Sequence, residues 1–357
     1  MEIKRSFQAA AIVAGLALLA IQPRIGMAAA RQGLITWMGV LVPSLFPYCF
    51  LAIALQRSSA RKLSSRTAAR ALDIPPGGIG VLACGWLGGN PTGAKLTQML
   101  AEGGGVTRGQ ALHLALISSA CSPAFALGAL GGTSGGGWML LISSWLGILL
   151  GSIIMRRFGA DEREVLLPPA GHEPLPPMLE AARSMLMIGC CVVLMSVLSA
   201  YAYWLALIVA PGAQPLPMAF LHALLEMAGG CMALSELRAP WTAPLMCFAI
   251  TFGGLSIGMQ ALMFLRPIGI SPWRYLAGKA LQGVLAAAIC RLFMLALGES
   301  AVQTLALSEP AGIPAWPAIT SLLLGAAALM LNRRFIDYEN AEDAERAARA
   351  DAANRMA

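Results

Sequence analysis

Residues 88–95 read GGNPTGAK, and they interrupt an apolar segment that extends from residue 78 to residue 101. Glycine and proline at such a point break a helix and free backbone amides and carbonyls. At membrane depth, free backbone groups are tolerated only where they are buried in protein or line a cavity. The segment therefore predicts a re-entrant helical hairpin, provided that the chain is a membrane protein.

The composition meets that condition. Of the 357 residues, 57% are apolar and 12% are charged, and the mean hydropathy is +0.69. Soluble domains carry about 25% charged residues, so this composition excludes a soluble enzyme, a disordered chain and a nucleic-acid-binding domain. Arginines in cytoplasmic loops explain the net charge of +7 without a nucleic-acid partner.

Other apolar segments are long enough, or nearly so, to cross a bilayer, which takes about 20 residues. They lie at 7–23, 33–55, 109–130, 137–155, 184–209, 241–265, 275–297 and 314–331. A second interrupted segment, at 217–238, contains MAGG and predicts a second re-entrant hairpin. The predicted fold class is an all-α polytopic membrane protein with about eight transmembrane helices and two re-entrant hairpins.

The loop charges predict the orientation. Residues 57–70 contain five Arg or Lys residues and no acid, which is typical of a cytoplasmic loop. The later basic stretches, in 156–177 and 266–274, also fall inside if each hairpin returns to the side from which it enters. We therefore expect an integral, multi-pass protein of the cell membrane, with an uncleaved first helix and both termini in the cytoplasm.

The order of the segments repeats with inverted orientation. Each half contains a span, an interrupted hairpin, a broken span and another span. Inverted repeats with paired broken helices are typical of secondary transporters, whose site lies at the midplane between the breaks. The predicted units are an N-terminal transmembrane helix (1–32), a first repeat (33–155) with hairpin 78–101, a cytoplasmic loop (156–183), a second repeat (184–297) with hairpin 217–238, a last transmembrane helix (298–334) and a charged cytoplasmic tail (335–357).

The tip of the first hairpin is a candidate anion site. Pro91 can begin a helix without losing a hydrogen bond. The amides of Thr92, Gly93 and Ala94 would then face a cavity at a positive helix end, which suits an anion. Lys95 adds a charge to a segment that otherwise has none. The alternative is a tip near the membrane surface, with Lys95 extending to the interface.

The second interruption is SSACSP at 118–123, in the middle of span 109–130. Pro123 leaves the carbonyl of Ser119 without its helical N–H partner. The hydroxyls and the freed carbonyl could coordinate a ligand or an ion. The alternative is a simple proline kink in which a serine caps its own turn.

The other two interruptions lie in the second half. Glu226, at the second hairpin, is the deepest acidic residue and is expected to bind a proton or coupling cation, or to pair with Lys95 or Lys279. Paired glycines at 253–254 permit unwinding of span 241–265, with Ser256 and Gln260 one turn apart beyond them. The predicted substrate-binding residues are Asn90, Thr92, Gly93, Lys95, Ser118, Ser119, Ser122, Glu226, Ser256 and Gln260. Lys279 and Arg291 are weaker candidates, since either can pair with an acid or extend to the interface.

The pattern predicts no enzyme. All eight cysteines lie inside apolar runs without a CxxC pair, and the spans contain no Ser/His/Asp or metal-ligand pattern. We therefore expect no catalytic residue, no metal site and no cofactor.

Five strings at collinear spacing resemble the sporulation integral membrane protein YlbJ family, which carries the nucleoside-recognition Gate domain. They are WMGVLVPSLFPY (37–48), GNPTGAK (89–95), SSACSPAF (118–125), LLEMAGG (224–230) and FGGLSIGMQ (252–260). The resemblance implies a fold similar to that of concentrative nucleoside transporters. It also implies export of dipicolinic acid, a pyridine dicarboxylate, from the mother cell toward the forespore. Glu226 corresponds roughly to a second-hairpin glutamate of the nucleoside transporters.

The leading hypothesis is a secondary transporter of a small organic anion, with dipicolinic acid as the substrate that the resemblance implies. Nucleoside transporters of this fold carry an acid at the first hairpin tip, whereas residues 88–95 contain Lys95 and no acid, which favours an anion. A coupling cation or proton and a homo-oligomer are left open. One alternative is a transporter of a nucleoside or other small neutral solute with the same fold. Another is a non-transporting envelope scaffold that recruits partners through the charged tail.

Overall fold

The computed structural model describes residues 15–57, 77–130, 136–158, 175–210, 214–237 and 239–297, with short pieces at 13, 72–75, 165–167 and 212. The predicted last span (314–331), the tail (335–357) and the beginning of the first predicted span (7–23) lie outside these residues. Within the described ranges the regular secondary structure is helical, apart from one isolated antiparallel bridge between Thr107 and Leu166. The all-α fold class is confirmed for this part of the chain.

The helices are numbered here in chain order. They are α1 (Pro23–Thr36), α2 (Val42–Arg57), α3 (Gly78–Gly88), α4 (Thr92–Glu102), α5 (Arg108–Ser118), α6 (Gly136–Phe158), α7 (Pro177–Val209), α8 (Pro215–Leu225), α9 (Met227–Ser235), α10 (Thr242–Phe252), α11 (Gly254–Leu265) and α12 (Pro272–Leu297). Two π-helical segments, Trp37–Leu41 and Ala124–Ala129, follow α1 and precede α6.

Four helical stretches of the described residues are long and apolar enough to cross a membrane. They are 137–156 in α6, 177–209 in α7, 242–265 in α10 and α11 together, and 272–296 in α12. These stretches make the protein a membrane protein by length and composition. The total of about eight spans stays a prediction.

Two helices begin before the apolar segments that were predicted to span the membrane, and each begins at a proline. α1 begins at Pro23 rather than at 33, and α7 begins at Pro177 rather than at 184. Proline fits the first turn of a helix because no N–H is needed there. The apolar pattern marks only the part of each helix that suits a bilayer, so it missed the polar first turns that contain Arg24 and Glu180.

Both interrupted segments form pairs of short helices in contact with each other. α3 and α4 are separated by Gly89, Asn90 and Pro91, with a cis peptide bond between the last two. α8 and α9 are separated by Glu226 alone. They approach so closely that a methyl group on Gly230 would lie 2.1 Å from the Cα atom of Ala223. The two interruptions agree with the sequence, whereas re-entry into the bilayer stays a prediction.

The buried apolar side chains form two clusters. The first surrounds the α3–α4 pair and includes side chains of α2, α5, α7 and α11. The second surrounds the α8–α9 pair and includes side chains of α10, the second π-helical segment and much of α12. Each broken span therefore contributes one part to each cluster, so its break lies between them. Trp145 of α6 packs against both clusters and joins them.

Candidate binding site at the helix breaks

The first hairpin packs directly against the first broken span. A methyl group on Gly85 or on Gly93 would lie 2.3 or 2.4 Å from the carbonyl oxygen of Ser118. A methyl group on Gly89 would lie 2.9 Å from Cβ of Ser122. Both arms of the hairpin therefore contact the break at backbone distance, and only glycine fits at these contacts.

The second hairpin packs in the same way against the second broken span. Gly254 has a φ of +67°, and a methyl group there would lie 3.1 Å from the carbonyl oxygen of Ala223 and from the amide of Met227. The tip of the first hairpin reaches the same place, since Nδ2 of Asn90 lies 3.9 Å from the Cβ position of Gly253. The four interruptions thus meet in one region between the two apolar clusters.

Polar atoms at this junction are buried without partners. Among the described residues, neither amide atom of Asn90 nor the hydroxyl of Ser118 has a hydrogen-bond partner, and Ser118 is wholly buried. Leaving such a group unsatisfied costs about 1–3 kcal/mol. These groups are therefore suited to a ligand, an ion or water.

The two hairpins differ in how their second helices begin. α4 has Pro91 at its N-cap and no side-chain cap. α9 is capped by Glu226, whose carboxylate accepts hydrogen bonds from the amides of Ala228 at 2.9 Å and Gly229 at 2.6 Å. The second hairpin thus supplies its own anion to its helix N-terminus, whereas the first does not.

Lys95 is buried and paired with Glu180 of α7. Its ammonium also lies 5.3 Å from the centroid of the Phe264 ring. The expected pairing with Glu226 is wrong, because Glu226 caps α9 and the unpredicted first turn of α7 brings Glu180 to Lys95. Binding of a ligand carboxylate by Lys95 stays a prediction.

Lys279 lies at the break in the first broken span, which follows α5 at residues 118–123. Only 1% of its surface is exposed, and Nζ donates to the carbonyl oxygen of Ser119 at 2.6 Å. This is the carbonyl that Pro123 leaves without a helical partner. The expected pairing of Lys279 with Glu226 is also wrong. A lysine within an apolar span was the signal in the sequence that marked this position.

The remaining predicted residues are all close to a break. Thr92 is buried where α4 begins. The hydroxyl of Ser122 accepts the N–H of Phe125 at 3.3 Å, which is the self-capping alternative. Ser256 and Gln260 are buried on α11 and contact each other, with Nε2 3.4 Å from the hydroxyl. No three of the described His, Cys, Asp and Glu residues are grouped so that they could hold a metal ion.

A curated protein matches part of the chain. The chain is 30% identical over 152 residues to the sporulation integral membrane protein YlbJ of Bacillus subtilis (strain 168). It is homologous to a sporulation membrane protein. The match covers 40% of this chain and 37% of the relative. No family model matches the chain, and no solved structure matches it. Together with the four apolar helices, the relative supports an integral membrane protein.

Proposed function

We propose that this protein is a secondary transporter of a small organic anion, and that dipicolinic acid is its substrate. The observation that carries the proposal is the meeting of four helix breaks around buried polar groups without partners, next to an uncapped helix N-terminus. The amide of Thr92 donates to the carbonyl of Gly89 at 3.0 Å, so its predicted role in the anion site is wrong. The amides of Gly93 and Ala94 would then bind the carboxylate at this helix N-terminus. Residues 77–101 contain no acidic side chain that would repel a carboxylate.

The arrangement of the two apolar clusters supports transport. Transporters with paired broken helices move one part of the bundle against another around a fixed site. The breaks lie between the clusters, so a small relative movement of the clusters would open the junction to one side or the other. A proton or a cation would provide the coupling, and Glu226, at the tip of the second hairpin, is the acidic group that we propose for it.

The relative supports the choice of substrate. Its name refers to sporulation, and the family that the five strings resemble implies dipicolinate. This dianion carries two carboxylates on a flat aromatic ring. The match spans less than half of either protein, so transport of dipicolinate is proposed for this chain rather than transferred to it.

One observation favours a neutral solute instead. The charge of Lys95 is balanced by Glu180, so it contributes less to an anion site than the sequence indicates. A nucleoside or a similar small neutral solute would then use the hydroxyl and amide groups alone.

Uptake into liposomes distinguishes the two functions. We expect reconstituted protein to accumulate radiolabelled dipicolinate, and excess unlabelled dipicolinate to compete whereas uridine does not. Asn90→Ala should lower the rate by about tenfold, since it removes two buried polar atoms from the junction. Uptake of uridine without dipicolinate would support the neutral-solute alternative. Absence of flux for both would contradict transport.

A further inference from the structure

We infer that Lys279 is the residue that binds a carboxylate of the transported anion, opposite the N-terminus of α4, so that the site takes a small dicarboxylate. The inference rests on the proposed function and specifies its substrate class. It replaces neither Lys95 nor the amides of α4, but adds a second positive group, which the sequence marks only as a lysine within the apolar span of α12.

Burial of Lys279 is the first argument. The side chain is 1% exposed, and no described acidic residue forms an ion pair with it. The ion pairs found among the described residues are Lys95 with Glu180 and Arg156 with Asp73. A buried ammonium without a counter-charge is strongly unfavourable. An incoming carboxylate would supply the missing charge.

Unused hydrogen-bond donors are the second argument. An ammonium has three donors, and the one hydrogen bond found for Nζ goes to the carbonyl of Ser119. Gln282, one turn further along α12, shows the contrast. Its Nε2 contacts the hydroxyl of Ser152 at 2.9 Å and the carbonyl of Leu116 at 3.2 Å. The amide donors of Gln282 are therefore satisfied within the bundle, while its Oε1 has no partner among the described residues. Lys279, by contrast, has donors left for a ligand.

Position at the junction is the third argument. Lys279 contacts Ser119, and the next residue back, Ser118, contacts the first turn of α4. The Ser118 hydroxyl is fully buried, has no partner among the described residues and lies 2.7 Å from the Cβ position of Gly93. Two positive groups, the α4 N-terminus and the Lys279 ammonium, thus border the same two-residue segment. A ligand with one carboxylate at each positive group would be a dicarboxylate that bridges the two groups.

A structural role is the competing explanation. Lys279 could serve only to satisfy the carbonyl of Ser119, in which case any donor of similar reach would replace it. Charge and hydrogen bonding can be separated, because Lys279→Gln keeps an N–H donor without the charge, Lys279→Arg keeps the charge, and Lys279→Met keeps neither. Gln282→Met is the matched control, since it removes another buried polar group one turn away.

The experiment is calorimetric titration of the purified full-length protein with dipicolinate and with its neutral analogue, pyridine-2,6-dicarboxamide. We expect Lys279→Met and Lys279→Gln to weaken dipicolinate binding by about 10- to 100-fold, the range for a hydrogen bond to a charged group. Binding of the diamide should change by less than about threefold, and Lys279→Arg should retain most of the dipicolinate affinity. Gln282→Met should bind both ligands like the wild type, with a lower melting temperature.

The outcomes separate this inference from the function on which it rests. Wild-type protein that binds neither ligand, or binds only the diamide, would overturn both. Wild-type protein that binds dipicolinate while Lys279→Gln binds it equally well would overturn the inference and leave anion transport standing. Equal weakening of dipicolinate and diamide by Lys279→Gln would show a structural role and overturn the inference as well.

Discussion

At the scale of single residues, the buried charges differ in what balances them. Lys95 and Glu180 neutralise each other, with side-chain exposures of 8% and 15%. Arg57 lies close by, donating to the carbonyl of Leu175. Burial lowers the pKa of the Arg57 guanidinium, and the Glu180 carboxylate acts against that shift. This group of charges joins the ends of α2, α4 and α7, so it fixes the first hairpin to its neighbours.

The Lys95–Glu180 pair gives a stability prediction. Removing one member of a buried pair leaves an uncompensated charge, which costs about 3–5 kcal/mol, whereas replacing both by apolar residues is often neutral. We expect Lys95→Met alone to lower the free energy of unfolding by about that amount. Lys95→Met combined with Glu180→Leu should recover most of the loss, as measured by thermal and chemical unfolding in detergent.

Arg183→Met is the control for that experiment. Arg183 is exposed on the same helix, one turn from Glu180, so its replacement should change stability by no more than about 0.5 kcal/mol. If the double variant were as unstable as the sum of its two single variants, the pair would not be coupled. Lys95 would then be available to a ligand, as the sequence predicts.

At the scale of elements, the two hairpins use the same geometry with different chemistry at the tip. α4 begins without a side-chain cap, whereas α9 begins with the carboxylate of Glu226 on two of its amides. His222, in the last turn of α8, lies beside this cap, with Nε2 3.3 Å from the Cβ position of Gly229. The second hairpin is therefore ordered by its own side chain, and the first is left to be ordered by its neighbours or by a ligand.

The Glu226 cap gives a prediction that separates structure from coupling. Loss of a helix N-cap costs about 0.5–2 kcal/mol, so Glu226→Ala should destabilise the protein by that amount. Glu226→Gln keeps an oxygen that can accept from α9 and should be close to the wild type in stability. If Glu226 is the coupling group, Glu226→Gln should still abolish the stimulation of dipicolinate uptake by a proton gradient.

Melting curves and gradient-driven uptake in liposomes measure the two effects independently. If uptake by Glu226→Gln responds to the proton gradient as uptake by the wild type does, Glu226 caps α9 and has no role in coupling. Stability of Glu226→Ala equal to that of the wild type would instead contradict the cap.

At the scale of the whole molecule, the two broken spans run between the two clusters, and the inverted repeat itself stays a prediction. The first cluster receives α5 and α11, and the second receives α10 and the π-helical segment after the first break. Each broken span therefore passes from one cluster to the other, and the two do so in opposite order along the chain. Both breaks therefore lie at the boundary between the two clusters.

The membrane topology is the corresponding prediction. Re-entrant hairpins place 131–135 outside and 159–164 in the cytoplasm, whereas a first hairpin that crossed the bilayer would reverse both. We expect a membrane-impermeant maleimide to label Thr133→Cys in intact cells and Ala160→Cys only after permeabilisation. Most native cysteines are buried, with Cys190 exposed, so wild-type protein measures the background. Labelling of Ala160→Cys in intact cells would contradict the proposed orientation.

Much of the fold could be predicted from local chemistry. Gly89 and Pro91 mark the turn between α3 and α4. Pro123 marks the end of the break in span 109–130, and Gly253 marks the break in span 241–265. Each acts through its own backbone, so each is visible in the sequence. The polar first turns of α1 and α7 were missed, because hydropathy detects the apolar part of a helix and not its ends.

The sequence alone determined that this is an all-α membrane protein whose helices break at glycine and proline, because apolar length and backbone chemistry are local properties. Only the tertiary structure decided which charges are paired. Lys95 and Glu180 are 85 residues apart, and Lys279 and Ser119 are 160 apart. Such contacts depend on how the helices pack, so no local pattern contains them. In the packed structure, Glu226 caps the N-terminus of α9 instead of pairing with a lysine. Lys279 lies at the junction of the breaks without an acidic partner among the described residues.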